Sequence, residues 1–558
     1  MMRRNDIFHS DVVTKAQILN DQFSSVFTKE DTTNVPSLDS DQYHPDLETI
    51  NITTEGVAKL MKELNPHKAP GPDNLPARLL RDYANELARP LALLFKGSLS
   101  QGVLPDDWKM ASVTPIFKKG DKTDPANYRP ISLTCIPCKL LEHIIHTTII
   151  THLDANHILA DTQHGFRKKR SCETQLILTC NDFASNLNKH KQTDTILLDF
   201  SKAFDKVPHQ RLLTKLNHYG VRHNTLAWIT NFLANRTQRV VLEGSQSNPC
   251  PVLSGVPQGS VLGPLLFLVY INDLPTSLSQ GTTARLFADD CLIYRTICDP
   301  DDSTCLQQDL NMLTDWEAKW QMSFNPAKCE VVHITTKKNP HQTTYCLGNH
   351  SLRRSTDARY LGVNITPSLS WNTHIKNIVG KASQTLGFVS RTLYACPSHI
   401  KMIAYKSLVR PKLEYASAIW DPYTKKNIDK LESVQRRAAR VCKGDFRRTS
   451  SVSGMLKSLN WPSLKNRRHK SKLLMFYKIQ HNIVDITIPP QTLQPAIRHP
   501  LHFIEPHSSI QTYQHSYFPS TIRLWNRLTE ECKRAGTIST FDGLLPKPYH
   551  SYDTDNTV

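Results

Sequence analysis

Asp199 closes the apolar run Thr195-Ile196-Leu197-Leu198, and ninety residues later Asp289-Asp290 interrupts a second one, with Arg285-Leu286-Phe287-Ala288 before it and Cys291-Leu292-Ile293-Tyr294 after it. A sheet that sets the two segments side by side would gather three carboxylates. Such oxygen donors suit a hard ion such as Mg2+, which takes one or two carboxylates plus substrate phosphate oxygens. Two such ions can clamp an in-line phosphoryl displacement without a protein nucleophile. An isolated Asp-Asp pair is ordinary turn or helix-cap chemistry; here the buried-strand flanks argue for a hairpin with both carboxylates at its tip. The carboxylates by themselves also fit a two-metal nuclease, though no other feature of the chain supports one.

The elements that would position these residues alternate strand and helix. Residues 113–117 read as a short strand running into Lys118-Lys119-Gly120-Asp121, and residues 128–133 as a second one carrying Arg129, so two strands with a cationic connection are predicted. The strand ending at Asp199-Phe200 is followed by a helix of about a dozen residues, marked by Leu212, Leu213 and Leu216, that stops at Gly220. Helices are also predicted from Thr53 to Asn65-Pro66 and over residues 87–99. The apolar stretch 261–271, interrupted by Gly263 and Pro264, is shorter than the roughly 20 residues of a membrane span and reads as buried core. Ile18, Leu19, Phe23, Val26 and Phe27 suggest one amphipathic helix in an otherwise polar lead-in.

A chain of 558 residues has room for several cores, which excludes a small stapled module. Sixty-eight Lys plus Arg against fifty Asp plus Glu leave +18, favouring a polyanionic partner, nucleic acid or an acidic membrane surface. Residues 371–472 read as helices and hold 22 Lys plus Arg against 5 Asp plus Glu, so nearly all the excess charge sits in one stretch. There Leu431, Val434, Ala438 and Val441 share a helical face while Arg436, Arg437, Arg440 and Lys443 project elsewhere, a track for phosphates rather than a mixed solubilising surface. Thirteen scattered cysteines do not suggest a disulfide framework, and Asp11 arrives before any signal-peptide apolar segment, so an intracellular setting is expected. Cys135, Cys138, His143 and His146 have zinc-ligand types, but their Cys-to-His interval is far shorter than a finger's.

Lys118 and Arg129 stand in Pro115-Ile116-Phe117-Lys118-Lys119 and Asn127-Tyr128-Arg129-Pro130-Ile131-Ser132-Leu133. Gln163-His164-Gly165-Phe166-Arg167, Leu198-Asp199-Phe200-Ser201-Lys202-Ala203-Phe204-Asp205 and Gly255-Val256-Pro257-Gln258-Gly259-Ser260 come next. Phe287-Ala288-Asp289-Asp290, Asn325-Pro326-Ala327-Lys328 and Tyr360-Leu361-Gly362-Val363 follow. In that order, over roughly residues 50–470, they resemble the blocks of a reverse transcriptase from a non-LTR (LINE-type) retrotransposon, most similar to the jockey and chicken-repeat branch.

The resemblance implies an α+β fold, a right-hand polymerase with a mainly helical, basic C-terminal part, copying RNA into DNA from a primer 3′-hydroxyl. Its expected divisions are a lead-in (1–50), fingers with part of the palm (51–190), palm (191–370), thumb (371–472) and a helical appendage of unknown role (473–558). Carried over block by block, Asp199, Asp289 and Asp290 with the Phe200 carbonyl would hold two Mg2+ ions, Mn2+ being a possible substitute. Lys118 and Arg129 would neutralise the dNTP triphosphate, Phe204 would exclude a ribose 2′-hydroxyl, and Gln258 would meet the nascent base pair. Lys328 would protonate departing pyrophosphate. Gln163 and Arg167 would touch the template, Tyr360, Leu361 and Gly362 would grip the primer, and Arg436, Arg437 and Arg440 would face the duplex. Asp205 is expected to cap or salt-bridge locally. The implied partners are RNA template, DNA primer or target, dNTPs and an element-encoded RNA-binding protein, with no membrane; the implied setting is a nuclear and cytoplasmic ribonucleoprotein. A complete element of this branch encodes an endonuclease-like domain ahead of the polymerase, and this chain is expected to lack it. A catalytically silent nucleic-acid-binding relic is the alternative.

Overall fold

In the computed structural model, which describes residues 1–38, 44–486, 488, 492–496 and 499–546, the chain divides into two units, each assembled from three separated segments. Unit 1 comprises Met1–Phe166, Asp199–Ser279 and Asp309–Asn325; unit 2 comprises Arg167–Leu198, Gln280–Gln308 and Pro326–Val558. Both mix helix and sheet, the α+β class.

In unit 1 the strands Met110–Phe117 and Tyr128–Leu133 pair antiparallel, with Ile116 opposite Arg129, and the first of them also pairs in parallel with Thr237–Leu242. The lead-in belongs to this core. Asp11 caps the Val12–Ser24 helix by accepting from the Thr14 amide, and Ala16, Ile18, Leu19 and Phe23 are buried with Val113 and Val240. The apolar stretch expected as core forms the helix Leu262–Ile271, all of it buried except Pro264. Its N-terminal amides would be stranded in the interior. Glu142, fully buried on the Ile136–Ala155 helix, accepts from the Val261 and Leu262 amides at 2.7 and 3.0 Å and satisfies them. Cys135 and Cys138 lie buried at the start of this same helix, and burial pushes both thiols up.

Unit 2 is built on five strands in the order Arg353–Arg354, Glu330–Ile334, Gln192–Asp199, Asp290–Ile297, Thr282–Phe287, the middle one belonging to it as far as Leu198, since Asp199 opens the second segment of unit 1. The near-continuous Thr195-Ile196-Leu197-Leu198 run lies in the middle strand, as its burial requires. At the far end of that strand the buried Asp194 meets Gln192 Nε2 at 2.7 Å, His333 Nδ1 at 2.8 Å and the Tyr345 hydroxyl at 2.7 Å, partners that a carboxylate removed from water must have.

The helices Asn372–Thr392, Lys425–Lys443, Leu464–Gln480 and Tyr517–Asn526 contribute to a single apolar core. The division expected between residues 472 and 473 falls inside the Leu464–Gln480 helix. Leu473, Phe476 and Tyr477 are buried together with Tyr513, Tyr517, Trp525 and Phe541, so the segments named thumb and appendage are packed as one body. The basic tract is also less free than its composition suggests. Arg468 and Lys472 are buried around Asp421, at 2.7 and 2.9 Å. No described helix is long and apolar enough to cross a membrane.

Candidate active site

The strands Thr282–Phe287 and Asp290–Ile297 form an antiparallel hairpin closed by the pair Phe287 and Asp290, leaving Ala288 and Asp289 as its two-residue turn. Ala288 takes the left-handed conformation (φ 53°) that so tight a reversal demands. Leu286, Cys291, Leu292, Ile293 and Tyr294 are buried, whereas Asp289 and Asp290 are exposed, so the apolar flanks anchor a tip carrying two carboxylates. Polar bonds brace the hairpin. Asp182, on the Cys172–Asn188 helix, accepts from Arg285 Nη2 at 2.9 Å and from the Tyr294 hydroxyl, and Gln175 donates to the Tyr360 hydroxyl at 3.2 Å.

Asp199 is the last residue of Gln192–Asp199, the strand next to Asp290–Ile297 in the sheet order. The chain leaving this strand is pinned. The Asn325 amide donates to the Asp199 carbonyl at 2.7 Å, the Ser201 amide to the Ser323 carbonyl at 2.8 Å, and the Phe200 ring stacks on Phe324 with centroids 4.4 Å apart. Among the described residues no group of three or more His, Cys, Asp or Glu side chains is drawn together as a ready cage for a metal ion. The donors available on these strand ends are carboxylate oxygens, with no thiolate or imidazole among the candidates. That set fits Mg2+, which keeps water and substrate oxygens in its shell and is rarely held by an all-protein cage.

Within unit 1 a pocket is lined by Pro130, Ser132, Phe204, Asp205, Gly255 and Gln258, among others. Phe204 stacks on Phe267 at 4.6 Å and meets Phe166 edge-on at 6.3 Å, which fixes its ring plane. Gln258 is tied at both ends: Ser132 donates its amide to the Gln258 carbonyl at 2.7 Å, and Gln258 Nε2 donates to Asp205 Oδ1 at 2.8 Å. Two glycines allow this closeness. Gly255 (φ 89°) and Gly259 (φ 119°) adopt conformations closed to other residues, and a Cβ would lie 2.6 Å from the Phe204 carbonyl and 2.3 Å from that of Ser132. Asp205 therefore does not cap or salt-bridge locally but accepts from Gln258. Burial pushes its carboxyl up to about 6, against the opposing pull of Gln258, Lys202 and Arg129. Arg129 and Lys118 are exposed on the Tyr128–Leu133 strand and just beyond Met110–Phe117, and the Lys118 amide bonds to the Asn127 carbonyl at 2.9 Å.

Other expected contacts turn inward. Gln163 is 3% exposed, and its Oε1 accepts from the Gly165 amide at 2.7 Å, so it shapes its own turn instead of facing a template; Arg167 remains partly exposed. Tyr360 is 3% exposed with its hydroxyl bonded to Gln175, which leaves the turn Leu361-Gly362, at φ 43° and 85°, as the accessible part of that block. Tyr415 donates its hydroxyl to the Leu361 carbonyl at 2.9 Å and steadies the turn. Lys328 is exposed at the end of the single turn Pro326–Lys328. On the Lys425–Lys443 helix, Arg436 and Arg437 are exposed. Arg440 is held back, donating to the carbonyl of Arg447 at 2.8 Å and, more weakly, to that of Asp445 at 3.4 Å.

Residues 116–365 match the family described as "Reverse transcriptase (RNA-dependent DNA polymerase)". Over these residues the chain is similar to reverse transcriptases. The matched stretch includes Lys118, Arg129, Asp199, Phe204, Gln258, Asp289, Asp290 and Lys328. The chain is similar to the "RNA-directed DNA polymerase from mobile element jockey" of Drosophila melanogaster, 29% identical over 73% of this chain and 46% of that protein. It is likewise similar to the jockey protein of Drosophila funebris, 29% identical over the same shares. The "Retrovirus-related Pol polyprotein from type-1 retrotransposable element R2" of Popillia japonica is 26% identical over 65% of this chain and 51% of its own length. The resemblance to proteins of such mobile elements thus extends beyond residues 116–365. The chain spans about half the length of the relatives it matches.

Proposed function

We propose that the chain is an RNA-directed DNA polymerase of a non-LTR retrotransposon, a right hand whose fingers, palm and thumb hold an RNA template, a DNA primer and a dNTP. The observation that carries this reading is the Asp289-Asp290 turn, exposed on a hairpin with buried flanks beside the strand that ends in Asp199, inside a reverse transcriptase domain. Two Mg2+ ions, when bound by Asp199, Asp289 and Asp290 with the Phe200 carbonyl, would supply Lewis acidity toward the primer 3′-oxygen and the triphosphate. The chain's own residues do the rest. Lys118 offers a point charge and Arg129 a bidentate fork to phosphate oxygens. The Phe204 ring, held flat on Phe267, occupies the space a 2′-hydroxyl would need, and Gln258, clamped by Asp205 and Ser132, presents a fixed amide to the base pair. Lys328 carries a proton for the leaving pyrophosphate, while the Leu361-Gly362 turn and the exposed Arg436 and Arg437 bear on the primer-template. We place this activity inside the cell, in nucleus and cytoplasm, with an element-encoded RNA-binding protein as a further partner.

The test is primer extension on an annealed RNA template and DNA primer with dNTPs and Mg2+, wild type against Asp289→Ala, with duplex binding measured in parallel. Elongation by wild type alone, with binding preserved within about threefold in the variant, is expected, because the carboxylate acts on the transition state and not on the backbone grip. Tight duplex binding by a wild type that never elongates would point instead to the silent relic.

A further inference from the structure

The helices Asn372–Thr392 and Lys425–Lys443 begin side by side in unit 2, joined by a bond from Asn427 Nδ2 to Asn372 Oδ1 at 2.7 Å. Neither helix has a side-chain cap, so the first amides of both keep their partial positive charge unneutralised. Lys376, Lys426 and Lys430 line a cleft over these two ends, and none of the three makes an ion pair among the described residues. The cleft shares Asn372 and Thr424 with an adjoining pocket walled by Trp371, Tyr423 and His515. Tyr423 stacks on His515 at 4.3 Å and 9°, yet stays 43% exposed, which leaves ring surface open for another flat partner.

A second observation points to a ligand. Asn427 lines the aromatic pocket and is 5% exposed, and its Oδ1 has no hydrogen-bond partner. A buried acceptor left without a donor is costly, and a donor entering the pocket would relieve it. The one acid in the wall, Asp421, is neutralised by Arg468 and Lys472, so it does not repel an anion. Burial pushes the His515 imidazole down, toward the neutral form that stacks well.

We propose that this cleft and pocket bind one nucleotide of an unpaired nucleic-acid strand: phosphate over the two helix ends and the three lysines, base against Tyr423, and a base N–H donated to Asn427 Oδ1. A paired, stacked base could not enter; a splayed one can. The site lies outside the family-matched residues 116–365 and uses none of the residues assigned above to polymerisation.

Fluorescence anisotropy without nucleotides tests this, using short labelled single strands of RNA and of DNA and an RNA–DNA duplex on the full chain. Because no synthesis is read, an inactive polymerase with an intact pocket still scores. Tyr423→Ala, at an exposed position, is expected to weaken single-strand binding about tenfold, the effect of losing a base–aromatic stack, with duplex affinity within about twofold. Lys376→Glu with Lys426→Glu is expected to weaken it at least as much and to flatten its salt dependence. Thermal melting checks that both variants are folded, and the RNA and DNA arms identify which strand supplies the nucleotide. Unchanged single-strand affinity in both variants, or an equal loss for duplex in Tyr423→Ala, overturns the proposal.

Discussion

Gln258 donates its side-chain amide to the Asp205 carboxylate at 2.8 Å, joining two segments 53 residues apart that both line one pocket. Backbone bonds reinforce the seam: Val256 donates to the Phe204 carbonyl and Ser254 Oγ to the Asp205 carbonyl, each at 2.8 Å. Asp205→Ala removes the acceptor and should lower kcat/KM for dNTPs about tenfold or more, the worth of a hydrogen bond to a charged group. Asp205→Asn keeps an acceptor oxygen and should retain most of the activity. Equal losses in the two variants would show that the bond does not orient Gln258.

The same residue sets a pH dependence of stability. Its carboxyl is raised from 3.8 to about 6, so between those values the folded chain holds a proton that the unfolded chain has released. Stability from this group therefore declines as pH rises from about 4 to about 6. Urea midpoints of wild type should fall over that window relative to Asp205→Asn, in which the group no longer titrates.

Phe204 stacks on Phe267 and meets Phe166 edge-on, contacts that oppose a swing of its ring to admit a bulkier sugar. Phe204→Val should raise the efficiency of rNTP use relative to dNTP about tenfold or more, measured as the ratio of kcat/KM values, while Phe204→Tyr should leave the ratio near that of wild type. No change in Phe204→Val would place the sugar elsewhere.

Arg436 and Arg437 are exposed on the Lys425–Lys443 helix, whereas Arg440 is turned back onto loop carbonyls. Replacing the first two by Gln should reduce the log–log salt slope of duplex binding by about 0.9 for each phosphate that is no longer neutralised. Arg440→Gln should leave the slope alone and lower thermal stability through the loop after Lys443.

Asp421 is buried between Arg468 and Lys472. Burial raises its carboxyl, but Lys472 and Arg468 together outweigh that and hold it well below the usual range. Its contribution to stability is present above the ordinary carboxylate value and is lost as pH falls below it. His469 beside it, lowered to about 4 mainly by burial, adds a loss of the same sign as pH falls from 6.5 to 4. Asp421→Asn leaves two buried cations short of a counter-charge and should destabilise unit 2 by about 3–5 kcal/mol, seen as a lower melting temperature. An unshifted melt would mean that water reaches these cations.

The strands and the hairpin were legible because their signals are local. Apolar runs ending at Asp199 and flanking Asp289-Asp290 declare buried strands whatever they pack against, and the observed elements coincide with them. Fates of single polar side chains were not legible in this way. Gln163 and Tyr360 stand in blocks read as nucleic-acid contacts, yet both turn inward, because the turn at Gly165 and the helix carrying Gln175 offer them partners far stronger than a bland spacing can reveal. Asp205 stood in plain view after Phe204; its partner, 53 residues away, did not.

By itself the sequence determined which class of chemistry to expect, since carboxylates at the ends of apolar runs depend on residue type and short-range pattern, and it determined the family resemblance through the order of its blocks. Only the tertiary structure decided which charges remain available. Arg468, Lys472 and Arg440 look identical to Arg436 in a count of basic residues, but burial against Asp421 and bonding to loop carbonyls withdraw them, while Lys376, Lys426 and Lys430 are brought together over two uncapped helix ends by a packing that no local pattern encodes. Desolvation and long-range pairing are properties of the folded neighbourhood, and they make a charge structural in one place and leave it open to a ligand in another.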